Sequence, residues 1–183
     1  MDDEKLLWKV NAVTPLLHTP VFDVEARDSE APNGVSGRYV AVTAPNWVVT
    51  VAVDGDDFIL VRQYRHGLGS ITTEFPGGVK DEGETPEECS ARELEEETGY
   101  RAGKITVLGT CSPNPALFAN RFTVCLAEDL TPTHRQHLDE DEVLSFLRVP
   151  IREVIDGFCT GEYMHAFMGT ALALYLRHRG LAL

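Results

Sequence analysis

Residues 78–100 read GVKDEGETPEECSARELEEETGY, and this stretch governs the reading of the 183-residue chain. Glu93, Glu96 and Glu97 fall within little more than one helical turn. Positions three and four apart share a helix face, and like charges there repel. A purely structural helix gains nothing from that crowding. A divalent cation turns the cost into a binding site, because hard cations such as Mg2+ take carboxylate oxygens and bind together with substrate phosphates.

The flanks of the stretch specify a helix over 86–98. Thr85 and Glu88 have the spacing of a capping box. Pro86 falls at the first helical position, where a missing N–H costs nothing. Gly99 stands where a left-handed turn ends a helix. Leu94, Ala91 and Thr98 are expected to face a sheet, with the three carboxylates to one side. Upstream, Phe75-Pro76-Gly77-Gly78 is a turn whose glycines open backbone conformations closed to other residues and let the Gly77 carbonyl approach a metal. Glu84 and Arg92 sit at opposite ends of the loop-helix unit, where an ion pair would hold the loop to the helix.

The arrangement resembles the Nudix box, G-x5-E-x7-R-E-U-x-E-E-x-G-U, with U bulky and apolar or aromatic. Gly78, Glu84, Arg92, Glu93, Leu94, Glu96, Glu97, Gly99 and Tyr100 fill its fixed positions. Tyr100 at the last U is a minor departure. The resemblance implies an α/β/α sandwich with a mixed sheet, in which the box forms loop-helix-loop. It also implies hydrolysis of a pyrophosphate linkage with Mg2+ or Mn2+. The metal ligands are then Glu93, Glu96, Glu97 and the Gly77 carbonyl, with Arg92 in the catalytic machinery.

Features outside the box are similar to the ADP-ribose pyrophosphatase and nucleoside-diphosphate-sugar hydrolase branch. These are Val61-Arg62-Gln63-Tyr64-Arg65 followed by Glu74-Phe75-Pro76-Gly77-Gly78, the prolines in Ser112-Pro113-Asn114-Pro115, and the final Gly161-Glu162 … Leu172-Ala173-Leu174 … Leu176 pattern. That branch implies that the N-terminal strands build a homodimer. It also implies that the acidic loop 138–143 supplies a base, with Glu140 the candidate and Glu142 a further metal ligand. Glu97 is the alternative base. Arg62 or Arg65 would clamp a phosphate through the guanidinium fork, and Glu74 and Arg121 are further substrate-side candidates. Trp8, Trp47 and Tyr64 are the aromatic candidates for a nucleobase. Trp8 would stack from a partner subunit, while core packing suits Trp47 better.

The formal net charge of −13 argues against binding of nucleic-acid polymers, which needs a basic surface. The overall field also repels a phosphate substrate, so its attraction must be local, through metal ions and a few arginines. The acidic start Met1-Asp2-Asp3-Glu4 is unlike a signal peptide, and the apolar run 171–176 is too short to span a bilayer. A cytoplasmic protein with no membrane partner is expected. Cys89, Cys111, Cys125 and Cys159 lack metal-type spacing and read as reduced, core or half-buried thiols. The six histidines form no constellation; His165 and His178 read as surface or core residues of the last helix.

The rest of the chain alternates between strand and helix patterns. Val21, Phe22, Val24 and Ala26 suggest strands, and 28–34 reads as a loop. Strands are expected at 37–44, 47–53, 57–64, 104–110, 121–127 and 143–149. A short helix follows Pro150. A longer one spans about 162–177, with Ala166, Gly169, Ala173 and Leu176 on its packed face. The expected organisation is a strand-rich dimerisation extension at 1–44 and a hydrolase domain at 45–183. Its substrate would be ADP-ribose or a related nucleotide sugar. A dinucleotide or nucleoside triphosphate substrate, or a non-catalytic nucleotide sensor, are the alternatives.

Overall fold

The structure is a computed structural model that describes residues 3–138 and 142–181. The chain forms two compact units. One comprises Met1–Pro45 and Ser112–Arg121, the other Asn46–Cys111 and Phe122–Leu183.

The first unit is an antiparallel sheet of β1 (Lys9–His18), β2 (Asp23–Glu30) and β3 (Ser36–Thr43), in that order. Register shifts between Val10 and Ala12 and between Pro15 and Leu17 break the β1–β2 ladder. Pro15, which has no N–H to donate, is tolerated because β1 is an edge strand. The loop expected from Asp28 begins only at Ala31, because β2 stays paired with β3 as far as Glu30↔Ser36. Segment 112–121 joins this unit through Val42 N–H to Leu117 O (2.8 Å) and Ala119 N–H to Val42 O (2.9 Å).

The second unit holds β4 (Trp47–Asp54), β5 (Asp57–Arg65), β6 (Ser70–Glu74), α1 (Pro86–Thr98), β7 (Tyr100–Cys111), β8 (Phe122–Pro132), β9 (Leu144–Pro150), α2 (Ile151–Gly157) and α3 (Ala166–His178). The mixed sheet runs β6-β5-β4-β8-β7, with β9 also paired to β5. The β4–β8 pair is parallel and the others are antiparallel. β6 is an addition to the expected strands: five residues ending in a glutamate carry a weak strand pattern.

Side chains alternate across a strand, and this builds two core layers. Val49, Val51, Phe58, Leu60, Val124 and Leu126 pack with α2 and α3 through Val154, Met168, Leu172, Tyr175 and Leu176. On the other face Ala52, Ile59 and Ala127 meet Leu94 of α1, and Val48 and Cys125 meet Cys89. Ser90 Oγ and Thr50 Oγ1 share a buried hydrogen bond at 2.8 Å. Ala91, expected against the sheet, is half-buried, and Cys89 and Ser90 lie inward instead. The packed face of α3 is also corrected. Its buried residues are Met168, Ala171, Leu172, Tyr175 and Leu176, an i, i+3, i+4, i+7, i+8 stripe of mostly bulky side chains. Of the expected stripe only Leu176 is buried; Ala166 is exposed, and Gly169 and Ala173 are half-buried, Gly169 lying close against the Phe158 ring.

Cys89 and Cys125 are buried, and burial pushes both thiols up to about 12. Cys111 is half-buried, while Cys159 is exposed, contrary to expectation. No helix among the described residues is long and apolar enough to cross a membrane.

Candidate active site

The predicted caps of α1 are present. Thr85 Oγ1 accepts from Glu88 N–H, Glu88 returns a bond to Thr85 N–H at 2.8 Å, and Gly99 adopts φ 68°. These caps fix where the helix starts, and hence which way Glu93, Glu96 and Glu97 point.

The sheet supplies the opposite wall. The β4–β5 ladder runs from Ala52↔Ile59 to Asp54↔Asp57. Along the first half of β4 the chain 76–80 lies in strand-like contact. Thr50 N–H donates to Pro76 O (2.8 Å), Val48 N–H to Gly78 O (3.0 Å) and Lys80 N–H to Asn46 O (2.9 Å). The fit is close enough to require glycine at 77, against backbone, and at 78 a side chain would displace the Glu93 carboxylate. A Cβ on Gly77, whose φ is 152°, would stand 2.1 Å from Val48 O, and one on Gly78 would stand 2.4 Å from Glu93 Oε1. Glu97 Oε2 accepts from Gly77 N–H at 2.8 Å, pinning the loop to the helix.

Loop, helix and sheet enclose a cleft of about 540 Å3. Its lining includes Trp47, Gln63, Arg65, Gly77, Gly78, Asp81, Arg92, Glu93, Glu96, Glu97 and Glu142. Arg92 is its organising cation. Nε and Nη2 bind the two oxygens of Glu84 at 3.0 and 3.1 Å, Nη1 binds Glu93 (2.8 Å) and Glu96 (3.1 Å), and Nη2 also donates to Val79 O. The Glu84–Arg92 pair is the one expected from the sequence; the reach to Glu93 and Glu96 is an addition.

One guanidinium does not balance these acids. Burial pushes Glu93 up to about 7, with Glu96 and Glu142 adding to the rise against the pull of Arg92. Burial pushes Glu97 up to about 8; the Gly77 N–H opposes the rise, and Glu93 and Glu142 reinforce it. This donor set is all oxygen, partly buried and short of positive charge, which suits a hard divalent cation in kind. Among the described residues no three acidic, His or Cys side chains already stand in a metal-binding set. Arg92 Nη1 holds an oxygen of both Glu93 and Glu96.

Residues 44–165 match the NUDIX domain model. The chain is 36% identical to the ADP-ribose pyrophosphatase of Bacillus subtilis over 137 residues, 74% of each chain. It is 34% identical to the ADP compounds hydrolase NudE of Escherichia coli over 146 residues, 79% of this chain and 78% of that one. A crystal structure of an ADP compounds hydrolase superposes with a TM-score of 0.83 at 31% identity, covering 96% of this chain and 97% of the other. The chain belongs to the Nudix hydrolase family.

The remaining expected site residues of this Nudix protein divide by place. Arg65 reaches the cleft. Its Nε and Nη2 bind both oxygens of Glu74 at 3.0 and 2.7 Å. Burial alone would raise the pKa of Glu74, but the bonds from Arg65 and Thr72 hold it below the ordinary carboxylate range. Glu74 therefore serves Arg65 instead of lining the cleft. Arg62 is not brought to the cleft: three residues from Arg65, it lies on the opposite face of β5. There it pairs with Glu162, which also accepts from Thr73 Oγ1 at 2.9 Å. Strand alternation was the signal that separated the two arginines. Trp8 and Arg121 belong to the other unit. Trp8 packs edge-on to Tyr39 with centroids 5.4 Å apart, and Arg121 Nη1 donates to Ala119 O and Asn120 O. Tyr64 is exposed and meets His66 edge-on. Trp47 packs edge-on to Phe167 and also lines the cleft. Glu142 lines the cleft as well, while Glu140 lies outside the described residues. Sequence reasoning missed Gln63, which shares the Arg65 face two residues away, and Asp81.

Proposed function

We propose that this Nudix hydrolase cleaves the pyrophosphate linkage of ADP-ribose or a related nucleoside diphosphate sugar, giving a nucleoside monophosphate and a sugar phosphate. The observation that carries the proposal is the pairing of walls in one cleft. Glu93, Glu96, Glu97 and Glu142 stand on the acidic side, and Arg65 projects from the sheet. The curated relatives that share most of the chain carry names for hydrolases of ADP-ribose and ADP compounds.

Glu93, Glu96, Glu97 and the Gly77 carbonyl would hold Mg2+ or Mn2+, with Glu142 a further ligand. Bound there, such an ion neutralises pyrophosphate oxygens and makes a water acidic enough to attack. The chain supplies the rest. Arg65, held by Glu74, keeps its Nη1 edge for a phosphate. Arg92 spaces the acids and ties the helix to the loop. A carboxylate takes the proton of the attacking water. Glu140 and Glu97 are the two groups proposed for that role.

A substrate panel with Mg2+, resolved by chromatography, tests this reading. AMP and ribose 5-phosphate from ADP-ribose are the expected products. Release of inorganic pyrophosphate from nucleoside triphosphates in preference would replace the substrate class. Binding of nucleotide without turnover would make the protein a sensor.

The first unit is proposed to pair two copies of the chain. Every residue of β1 is exposed, including Val10, Val13, Leu16 and Leu17. An edge strand with that much open apolar surface calls for a cover. Light scattering at micromolar concentration is expected to return twice the 20.2 kDa chain mass. A monomer mass would remove the dimer.

A further inference from the structure

We infer that His165 is a positioning residue for Arg65, acting through Glu74 by way of a water-sized cavity beside the two. The inference rests on the phosphate role proposed for Arg65.

His165 stands immediately before α3, and its Nδ1 accepts from Phe167 N–H at 3.1 Å, capping the helix. A ring nitrogen that accepts carries no proton, so the proton of a neutral imidazole sits on Nε2. Burial holds the pKa of His165 below the ordinary imidazole range, with Arg65 adding to the fall and Glu74 opposing it. The ring is therefore a single-proton donor at neutral pH. Phe167 packs against it with centroids 4.8 Å apart, which restricts its rotation.

Nε2 lies 3.8 Å from Glu74 Oε2, beyond a direct hydrogen bond. A cavity of about 20 Å3 opens beside them, lined by His165, Glu74 and Arg65 and by apolar neighbours such as Phe75 and Phe167. That volume has room for one water within reach of both His165 and Glu74. A water seated there would accept from Nε2–H and donate to Oε2. Glu74 Oε1 accepts from Arg65 Nε and from Thr72 Oγ1, and Oε2 accepts from Arg65 Nη2. Thr72 and Arg65 hold the carboxylate directly, and His165 would restrain its Oε2 through the water. With Nε and Nη2 engaged by Glu74, Nη1 is the nitrogen left for the cleft that Arg65 lines. A carboxylate without the His165 restraint can turn and take the guanidinium with it.

The two ring nitrogens can be tested separately. In His165→Asn the amide oxygen imitates Nδ1 and keeps the helix cap, but the shorter side chain does not reach toward Glu74. In His165→Gln an amide N–H comes near the place of Nε2, but the longer side chain caps poorly. His165→Asn is expected to keep Tm within about 2 °C and to raise KM for ADP-ribose about tenfold. Its kcat should change by less than about threefold. His165→Gln is expected to lower Tm while recovering most of the KM. In an Arg65→Ala background, His165→Asn should add nothing further. A wild-type KM for His165→Asn overturns the inference, as does a KM that tracks Tm in both variants. Additive losses in the double variant exclude action through Arg65. If Arg65→Ala alone leaves KM unchanged, the phosphate role of Arg65 is what fails, and the His165 inference falls with it.

Discussion

Glu97→Gln is expected to lower kcat for ADP-ribose by about a thousandfold, while making the metal-free protein more stable above about pH 8. The two effects have one cause. Glu97 is 3% exposed and shares its surroundings with Glu93 and Glu142. Its ionised form is costly in the fold without a cation and is needed for chemistry with one. Gln keeps an oxygen for the Gly77 N–H and removes the charge.

The sign follows from linkage. Glu93 and Glu97 titrate at about 7 and about 8 in the fold, above the ordinary value of 4.5. Their contribution to stability is whole below about pH 4.5 and is lost as pH rises through about 7 and 8. Glu74 and Glu84 are held below 4.5, so their contribution is present above that value and is lost on acidification. Metal-free protein is therefore expected to be most stable near pH 4.5 and to lose on the order of several kcal/mol by about pH 9. Mg2+ should restore much of this loss in wild type and less in Glu97→Gln. Thermal melts in EDTA and in Mg2+ across that range, beside turnover measurements, check both halves. Undiminished turnover in Glu97→Gln would remove the metal site, and a flat pH profile in EDTA would remove the account of the buried charges.

Gly77→Ala is expected to destabilise the protein by about 3 kcal/mol or more and to abolish measurable turnover. The added Cβ would meet Val48 O at 2.1 Å and Val49 Cα at 3.1 Å, and both are backbone atoms that cannot turn aside. The loop would have to leave β4. Three bonds are then at risk: Thr50 N–H to Pro76 O, Val48 N–H to Gly78 O, and Gly77 N–H to Glu97. Gly83→Ala is the control. Gly83 has φ 82° but open space around its Cβ direction, so it carries backbone strain alone, worth about 1 kcal/mol. Urea denaturation of both variants separates collision from strain. Equal losses in the two would show that the loop does not press on β4 as described.

Much of α1 was legible in advance because its determinants are local. Thr85, Glu88 and Gly99 act within a few residues of themselves, and the Glu84–Arg92 pair joins the two ends of one short loop-helix unit. The errors arose where a face had to be chosen from composition. Small residues suggested the wrong stripe on α3, and Ala91 was preferred to Ser90, whose hydroxyl is satisfied by a partner on β4 that lies far away in the chain. Strand β6 went unread because its threonines and terminal Glu74 are buried by tertiary contacts, not by any apolar pattern of their own.

The sequence by itself determined that a capped helix would crowd three glutamates beside a glycine turn, because helix geometry and capping are short-range. It also pointed to the family, whose box is contiguous. Only the tertiary structure decided that Arg65 and not Arg62 faces the acids, that chain 76–80 lies along β4, and that His165 looks onto Glu74. Those outcomes depend on strand register and on the packing of distant segments. A single slip of one residue in β5 would exchange the two arginines between faces.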